Sequence, residues 1–305
     1  MTEGSKSCPH IGLILHRGRD ALFDAFISAM SAHGLEDGRT VVIEPRFAEG
    51  MLERTVGFAA ELVERRVDLI VAIGAVGAGA ARKATATVPI LFAIVLDPVQ
   101  LGFAESWERP GGNMTGVTNF DPRLAGEQLA ILRETVPGLT RVAVLSDADI
   151  PRPAAGNPLE QSCEAAAGKL GLALDWFRPR GPAPDWDGLF GEMKRRGCGA
   201  VVTLEVPVNI GNFAGIAALA RSHRLPTMFP DGWQHDGLLS YGTSLLQTVQ
   251  DLPGMAARIL AGSAPGAIPI RQVRRHRLTV NRATARRIGI ELPPGVLDRA
   301  EEIIG

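Results

Sequence analysis

The sequence predicts an α/β protein built as two Rossmann-like lobes, each around a parallel sheet, with a ligand cleft between them. Three observations lead there. Short apolar, β-branched strands alternate with amphipathic helices along the whole 305 residues, the pattern of parallel α/β layers. The stretch 67–98 reads as strand, glycine turn, helix, strand, which is one parallel βαβ unit. The same rhythm then recurs: RRVDLIVAIGAVG and VPILFAIVLDPV in the first half have RRGCGAVVTLEVPV and LPTMFPDGW as counterparts in the second. A chain of 305 residues is too long for one small open sheet and suits two lobes.

Each element follows from local pattern. HIGLIL (10–15) alternates apolar residues and forms a first strand, with His16 and Arg17 in the loop at its carboxyl end. A helix over 21–33 carries Leu22, Phe23, Phe26, Ile27 and Met30 on one stripe and stops at Gly34. A strand over 40–45 and a helix over 52–66 follow. In the central unit, strand 69–73 is apolar on both alternations, as a strand buried on both faces requires. Gly74, Gly77 and Gly79 come next, then a helix over 78–86 and a strand over 90–96 stopped by Asp97-Pro98. Residues 114–120 are extended and leave the first lobe.

In the second half the pattern predicts helices over 125–135, 159–170, 185–196 and 213–223, and strands over 141–145, 172–177, 200–204 and 226–229. A Pro-rich irregular stretch covers 151–158. LLSYGTS is extended, a helix covers 249–261, HRLTVN (276–281) is strand-like, and a last helix covers 297–304. Extended crossings between the lobes are expected at 118–122 and 240–244. They divide the chain into lobe I over 8–119 plus about 243–267, and lobe II over 120–242 plus about 268–305.

Composition narrows the function. Net charge is -1, so nothing global draws the chain to nucleic acid or to an anionic membrane. The basic cluster RQVRRHR (271–277) reads as a solvated strand or crossover, or as a contact surface for another protein. Apolar content of 46% supports a large core, and no run of about 20 apolar residues exists to span a membrane. Cys8, Cys163 and Cys198 lack metal-ligand spacing and read as thiols, the last two buried or joined in a disulfide. No metal and no cofactor are expected.

In open parallel sheets the ligand sits outside the carboxyl ends of the strands. The candidate ligand residues are therefore His16 and Arg17; Gly74, Ala75 and Val76; Asp97 and Pro98; and Thr118, Asn119 and Phe120 at the first crossing. From the second lobe come Ser146 and Asp147, Thr203 and Glu205, Asp231, and Tyr241 in the second crossing. Residues 74–77 expose backbone donors at a helix start, which suits a carboxylate. The glycines have a plainer reading, tight helix–strand packing. Asp97 either faces the cleft or caps the following turn. His16 and Arg17 are surface residues, an anion clamp or catalytic groups. Thr118–Phe120 serve hinge geometry or the ligand, and Tyr241 contacts the ligand or wedges the hinge. Asp147, Glu205 and Asp231 at one sheet edge favour an ammonium group, so the pattern points to a zwitterion.

Catalytic signatures are weak. Gly74, Gly77 and Gly79, with Asp97 ending the next strand, superficially resemble a dinucleotide site. Their spacing departs from G-x-G-x-x-G, and the unit is not the first βα turn. A nicotinamide-dependent enzyme is the remote alternative. No G-x-S-x-G elbow or Walker lysine is present, and the expectation is a binding protein, not an enzyme.

GLEDGRTVVIEPRFAEG, AAELVERRVDLIVAIG, ATATVPILFAIVLDPVQLGF, ERPGGNMTGVTNF, ETVPGLTRVAVL, RLPTMF, GLLSYG and TARRIGIELPPGVLDRAEEII together resemble, in order and over nearly the whole chain, the ABC-transporter substrate-binding proteins that include the tryptophan/tyrosine binding proteins. The resemblance implies a type I periplasmic-binding-protein fold. It also implies capture of a small solute, often an aromatic amino acid, for an ABC permease and ATPase. The chain departs from the family pattern at Ser146-Asp147 after RVAVL and at Thr243 after SYG, so ligand identity does not carry over. The resemblance implies a periplasmic or extracellular site. MTEGSKSCPH has neither a basic n-region nor an apolar h-region, so a native start there implies the cytoplasm and a ligand-sensing module of a signalling or regulatory system.

Overall fold

The computed structural model describes residues 8–121, 123–149, 157–181, 183–230 and 236–305. The chain forms two compact units, 1–120 with 245–273 and 121–244 with 274–305, and so passes between them three times.

The first unit begins β1 (His10–Leu15), α1 (Ala21–Met30), β2 (Val42–Phe47), α2 (Arg54–Glu64), β3 (Leu69–Ile73), α3 (Ala75–Ala84), β4 (Ile90–Ala93) and β5 (Met114–Thr118). The second contains α4 (Leu124–Thr135), β6 (Arg141–Leu145), α5 (Pro158–Leu170), β7 (Ala173–Phe177), α6 (Trp186–Arg195), β8 (Ala200–Thr203), α7 (Pro207–Ile210), α8 (Phe213–Ser222), β9 (Thr227–Phe229) and β10 (Leu239–Thr243). The chain returns to the first unit for α9 (Leu245–Gln250), α10 (Leu252–Leu260) and β11 (Arg271–Gln272). It finishes the second with β12 (His276–Asn281), α11 (Arg282–Ile288), α12 (Pro294–Arg299) and β13 (Glu302–Ile304).

The first sheet runs β2-β1-β3-β4-β5-β11 and is parallel throughout. The second runs β7-β6-β8-β9-β10-β12-β13, with β10–β12 its one antiparallel pair. Strand order reverses beside the first strand of each unit, at β1/β3 and at β6/β8. Such reversals open the crevice in which doubly wound sheets bind ligands.

Burial explains why the strands read so clearly. No residue of β3 is more than 2% exposed. Ile14, Leu62, Ile70 and Phe92 share one core in the first unit, and Leu129, Val144, Val202, Met228 and Leu278 share one in the second. Each such side chain contributes about 1.5–3 kcal/mol of transfer free energy. Asp20 starts α1 by accepting the N–H groups of Leu22 and Phe23. In the SYG segment, Pro230 O lies 1.3 Å from where a Cβ on residue 242 would stand, so only glycine fits.

Several boundaries differ from the sequence expectation. α3 starts at Ala75 rather than 78, directly on Gly74. β4 ends at Ala93 rather than 96, because Ile94 turns to φ +54°. The helix expected over 249–261 is two helices, α9 and α10. The helix expected over 297–304 ends at Arg299, since Glu302–Ile304 pair with β12. Residues 268–273, expected with lobe II, stay in the first unit, where β11 pairs with β5 and Val273 N–H donates to Thr118 O at 2.8 Å. Cys163 and Cys198 are buried free thiols, and burial pushes them up to about 12 and about 11.

Candidate functional site

In the first unit the loops at the β1/β3 switch point carry the candidates His16 and Gly74. His16 follows β1, and its Nε2 is buried with no hydrogen-bond partner. Burial, helped by the neighbouring Arg17 charge, lowers the imidazole to about 4, so it is neutral near pH 7. Gly74 follows β3 with φ +103°, a backbone that L side chains rarely adopt, and His16 Nδ1 is 4.0 Å from where its Cβ would stand. The first intrahelical bond of α3 is Ala78 N–H to Gly74 O at 3.1 Å. The amides of Ala75, Val76 and Gly77 precede it, at the positive end of the helix dipole. A neutral imidazole beside a helix start is a donor set for a carboxylate.

The other first-unit candidates are committed to the loops. Asp97 caps its own turn, accepting Val99 N–H and Gln100 N–H, each at 3.0 Å. Pro98 is buried, and its carbonyl accepts Phe103 N–H at 2.7 Å. Thr118 Oγ1 lies 2.5 Å from Val95 O and 3.2 Å from Leu96 O, and accepts Phe120 N–H at 3.0 Å. Asn119 and Phe120 are both buried, and Phe120 O accepts from Gln272 Nε2. Arg17 is partly exposed.

In the second unit Ser146 and Asp147 follow β6, and Glu205 lies just past β8, at the second switch point. Ser146 Oγ donates to Glu160 Oε1 at 2.7 Å. Arg178, just past β7, grips the same carboxylate at 3.1 and 3.0 Å. Asp147 accepts Asp149 N–H at 2.8 Å and Val208 N–H at 3.1 Å; burial raises its carboxyl above the ordinary range, against the pull of those two bonds. Thr203 Oγ1 reaches Met228 O at 3.4 Å. Asp231 lies outside the described residues.

Tyr241 sits mid-strand in β10 and donates its hydroxyl to Glu127 Oε2 of α4 at 2.6 Å. Its ring meets His276 edge-on at 5.5 Å. Burial, then the Glu127 bond, raises the phenol above its ordinary value. Tyr241, Glu127 and His276 line a cavity of about 400 Å³ within the second unit.

Sequence reasoning missed Arg178, Glu160 and Asn209. A basic residue just past strand 173–177 was a usable signal for Arg178. Asn209 had none: it is fully buried and donates Nδ2 to Leu145 O at 2.8 Å and Leu204 O at 3.0 Å, tying two strand ends together. Among the described residues no group of three or more His, Cys, Asp or Glu is placed to hold a metal, and no helix is long and apolar enough to cross a membrane.

Two parallel α/β units with these switch points make a type I periplasmic-binding-protein fold. The chain belongs to the ABC transporter substrate binding protein family, whose model matches residues 11–304. A tyrosine-binding protein of Clostridioides difficile is 31% identical over 144 residues, 46% of this chain and 41% of that protein; the match thus spans less than half of either. Among solved structures, a conserved domain protein from Vibrio cholerae aligns with TM-score 0.86 at 22% identity, covering 97% of this chain and all of that one. An ABC domain from Streptococcus pneumonia in complex with L-Trp aligns with TM-score 0.83 at 21% identity, covering 98% of this chain and all of that one.

Proposed function

We propose that this chain is the solute-binding protein of an ABC importer and captures an amine-bearing small molecule, most directly an amino acid, by hinge closure. One observation carries the reading. The β1/β3 switch point couples the amides at the start of α3 to an imidazole held neutral by burial, a pairing that recognises a carboxylate without a fixed side-chain charge. Asp147 and Glu205 at the β6/β8 switch point, with Asp231, supply carboxylates for an ammonium group, whose charge offsets their desolvation. The L-Trp named with the Streptococcus relative and the tyrosine named for the Clostridioides one support an aromatic amino acid. Phe120 is the aromatic residue nearest the first passage between units. Membership of the family supports permease and ATPase partners and work outside the cytoplasmic membrane. No catalytic residue is assigned.

Thermal-shift screening of amino acids, then calorimetry on Asp147→Ala, Glu205→Ala and Asp231→Ala, tests the ligand. A hydrogen bond to a charged group is worth about 1.5–3 kcal/mol, so a true contact costs about tenfold or more in affinity. A neutral sugar as best ligand, or three silent substitutions, overturns the assignment. Closure predicts compaction in small-angle scattering on saturation with that ligand, and an unchanged radius of gyration removes the hinge.

A further inference from the structure

The carboxyl end of β4 carries a backbone outlier. Ile94 has φ +54°, a left-handed conformation that crowds a β-branched side chain. Glu49, Arg66 and Arg224 share the sign of φ, but they lie in turns and their side chains are unbranched at Cβ. Ile94 instead interrupts an apolar run that reads as a strand through Leu96.

The kink changes which residue enters the core. In a continuing strand residue 94 faces the same side as Ile90 and Phe92. Both are fully buried in the first unit's core, and the residue that joins them there is Val95, also fully buried. Ile94 is left partly exposed. The arrangement is pinned from outside: Thr118 Oγ1 gathers the carbonyls of Val95 and Leu96, and Asp97 closes the next turn on Val99 and Gln100. Gly74 N–H bonds Ala93 O at 2.9 Å, so Ile94 leaves the sheet beside the start of α3. Strain of this kind persists where neighbouring structure over-determines it, and it collects at ligand clamps.

We propose that Ile94 is a specificity-determining residue: it forms the apolar wall of the first unit's ligand surface, against which the ligand's nonpolar side chain packs. The inference rests on the amino-acid reading above. It adds that selectivity for large apolar side chains resides in a strand-end kink, separately from the groups that take the carboxylate.

Wild type, Ile94→Gly and Ile94→Ala are compared by calorimetry against L-tryptophan, L-leucine and L-alanine, and by thermal melting without ligand. Both variants lose about tenfold in affinity for tryptophan and leucine, and less than about twofold for alanine, because only the larger ligands lose an apolar partner. Ile94→Gly melts above Ile94→Ala, the reverse of the usual order, since glycine alone relaxes at positive φ. Wild-type binding with selectivity unchanged in the variants overturns this inference alone, as does Ile94→Gly melting below Ile94→Ala. Wild type that binds none of the amino acids overturns the functional reading and this inference with it.

Discussion

Val208 donates its backbone N–H to Asp147 Oδ2 at 3.1 Å, so the acid in the loop after β6 also fastens the start of α7. With Asp149 N–H on Oδ1 at 2.8 Å, the carboxylate holds two amides in a buried setting. Asp147→Ala leaves both donors without it and costs about 1–3 kcal/mol of stability near pH 7. The pH dependence has a definite sign. Burial raises the folded-state pKa above the ordinary carboxylate value, so between the two the folded state holds more protons. This group's contribution therefore favours folding more as pH falls through that window. Chemical denaturation from pH 7 down to about pH 4 should show the deficit of Asp147→Ala widening on acidification. A deficit that shrinks on acidification refutes the raised pKa.

His16 titrates in the opposite sense. Its folded-state pKa is lowered from 6.5 to about 4, so between those values the unfolded chain binds more protons and stability is lost as pH falls. The full window corresponds to about 3 kcal/mol before solvent screening is discounted. Urea denaturation of wild type and His16→Gln should show wild type losing more stability between pH 6.5 and about 4, the range set by that shift. Equal losses in both proteins place the imidazole in solvent.

Glu44 on β2 is a third, purely structural test. Its carboxylate is bonded by Arg65 and lies 3.0 Å from His10 Nδ1 and 3.5 Å from Arg46 Nη2. The Arg65 bond chiefly, then His10 and the two arginine charges, hold its pKa below the usual value against desolvation. Its contribution is present above the unfolded-state pKa and lost as pH falls through the folded-state one. Glu44→Gln should destabilise by about 1–3 kcal/mol at neutral pH and leave ligand affinity unchanged. A change in calorimetric affinity without a change in denaturation midpoint contradicts this.

What was legible in the sequence was what local chemistry dictates. Leu69–Ile73 read as a strand buried on both faces and Gly74 as part of a turn toward a helix, because period and backbone freedom are local properties. The two-lobed α/β architecture followed from the repetition of that unit, and the type I fold from the family resemblance. The parts that failed depend on contacts distant in sequence. The kink at Ile94 is pinned by Thr118, from a neighbouring strand. The segment 297–304 has helical periodicity, yet Glu302–Ile304 become strand because the edge of β12 is there to pair with. At the candidate site, the strand-end positions of His16, Gly74, Ser146 and Asp147 were readable, while the strand order that makes those ends switch points was not. The cap of Asp97 on its own turn was one of its two sequence readings, and local spacing explains it; the bond of Tyr241 to Glu127 was not readable, because nothing local says which distant acceptor a side chain will find.

The second unit's switch point offers the last prediction. Ser146, Glu160 and the partly exposed Arg178 form a chain in which one buried carboxylate takes a hydroxyl at 2.7 Å and a guanidinium fork at 3.1 and 3.0 Å. Glu160 is 8% exposed, so its charge depends on those donors, while Arg178 also lies 4.9 Å over the Trp176 ring. Removing the arginine alone strands a carboxylate in low dielectric, whereas removing both charges strands nothing. Arg178→Met should therefore destabilise by about 1–3 kcal/mol. Adding Glu160→Gln should restore much of the loss, because a neutral amide still accepts from Ser146. The double-mutant cycle isolates the coupling. If the two losses simply add, the guanidinium works through Trp176 and not through Glu160. If they couple, the chain sets the direction in which Ser146 and Asp147 leave β6, and Arg178→Met should also weaken ligand binding, by calorimetry, more than the doubly neutralised protein does.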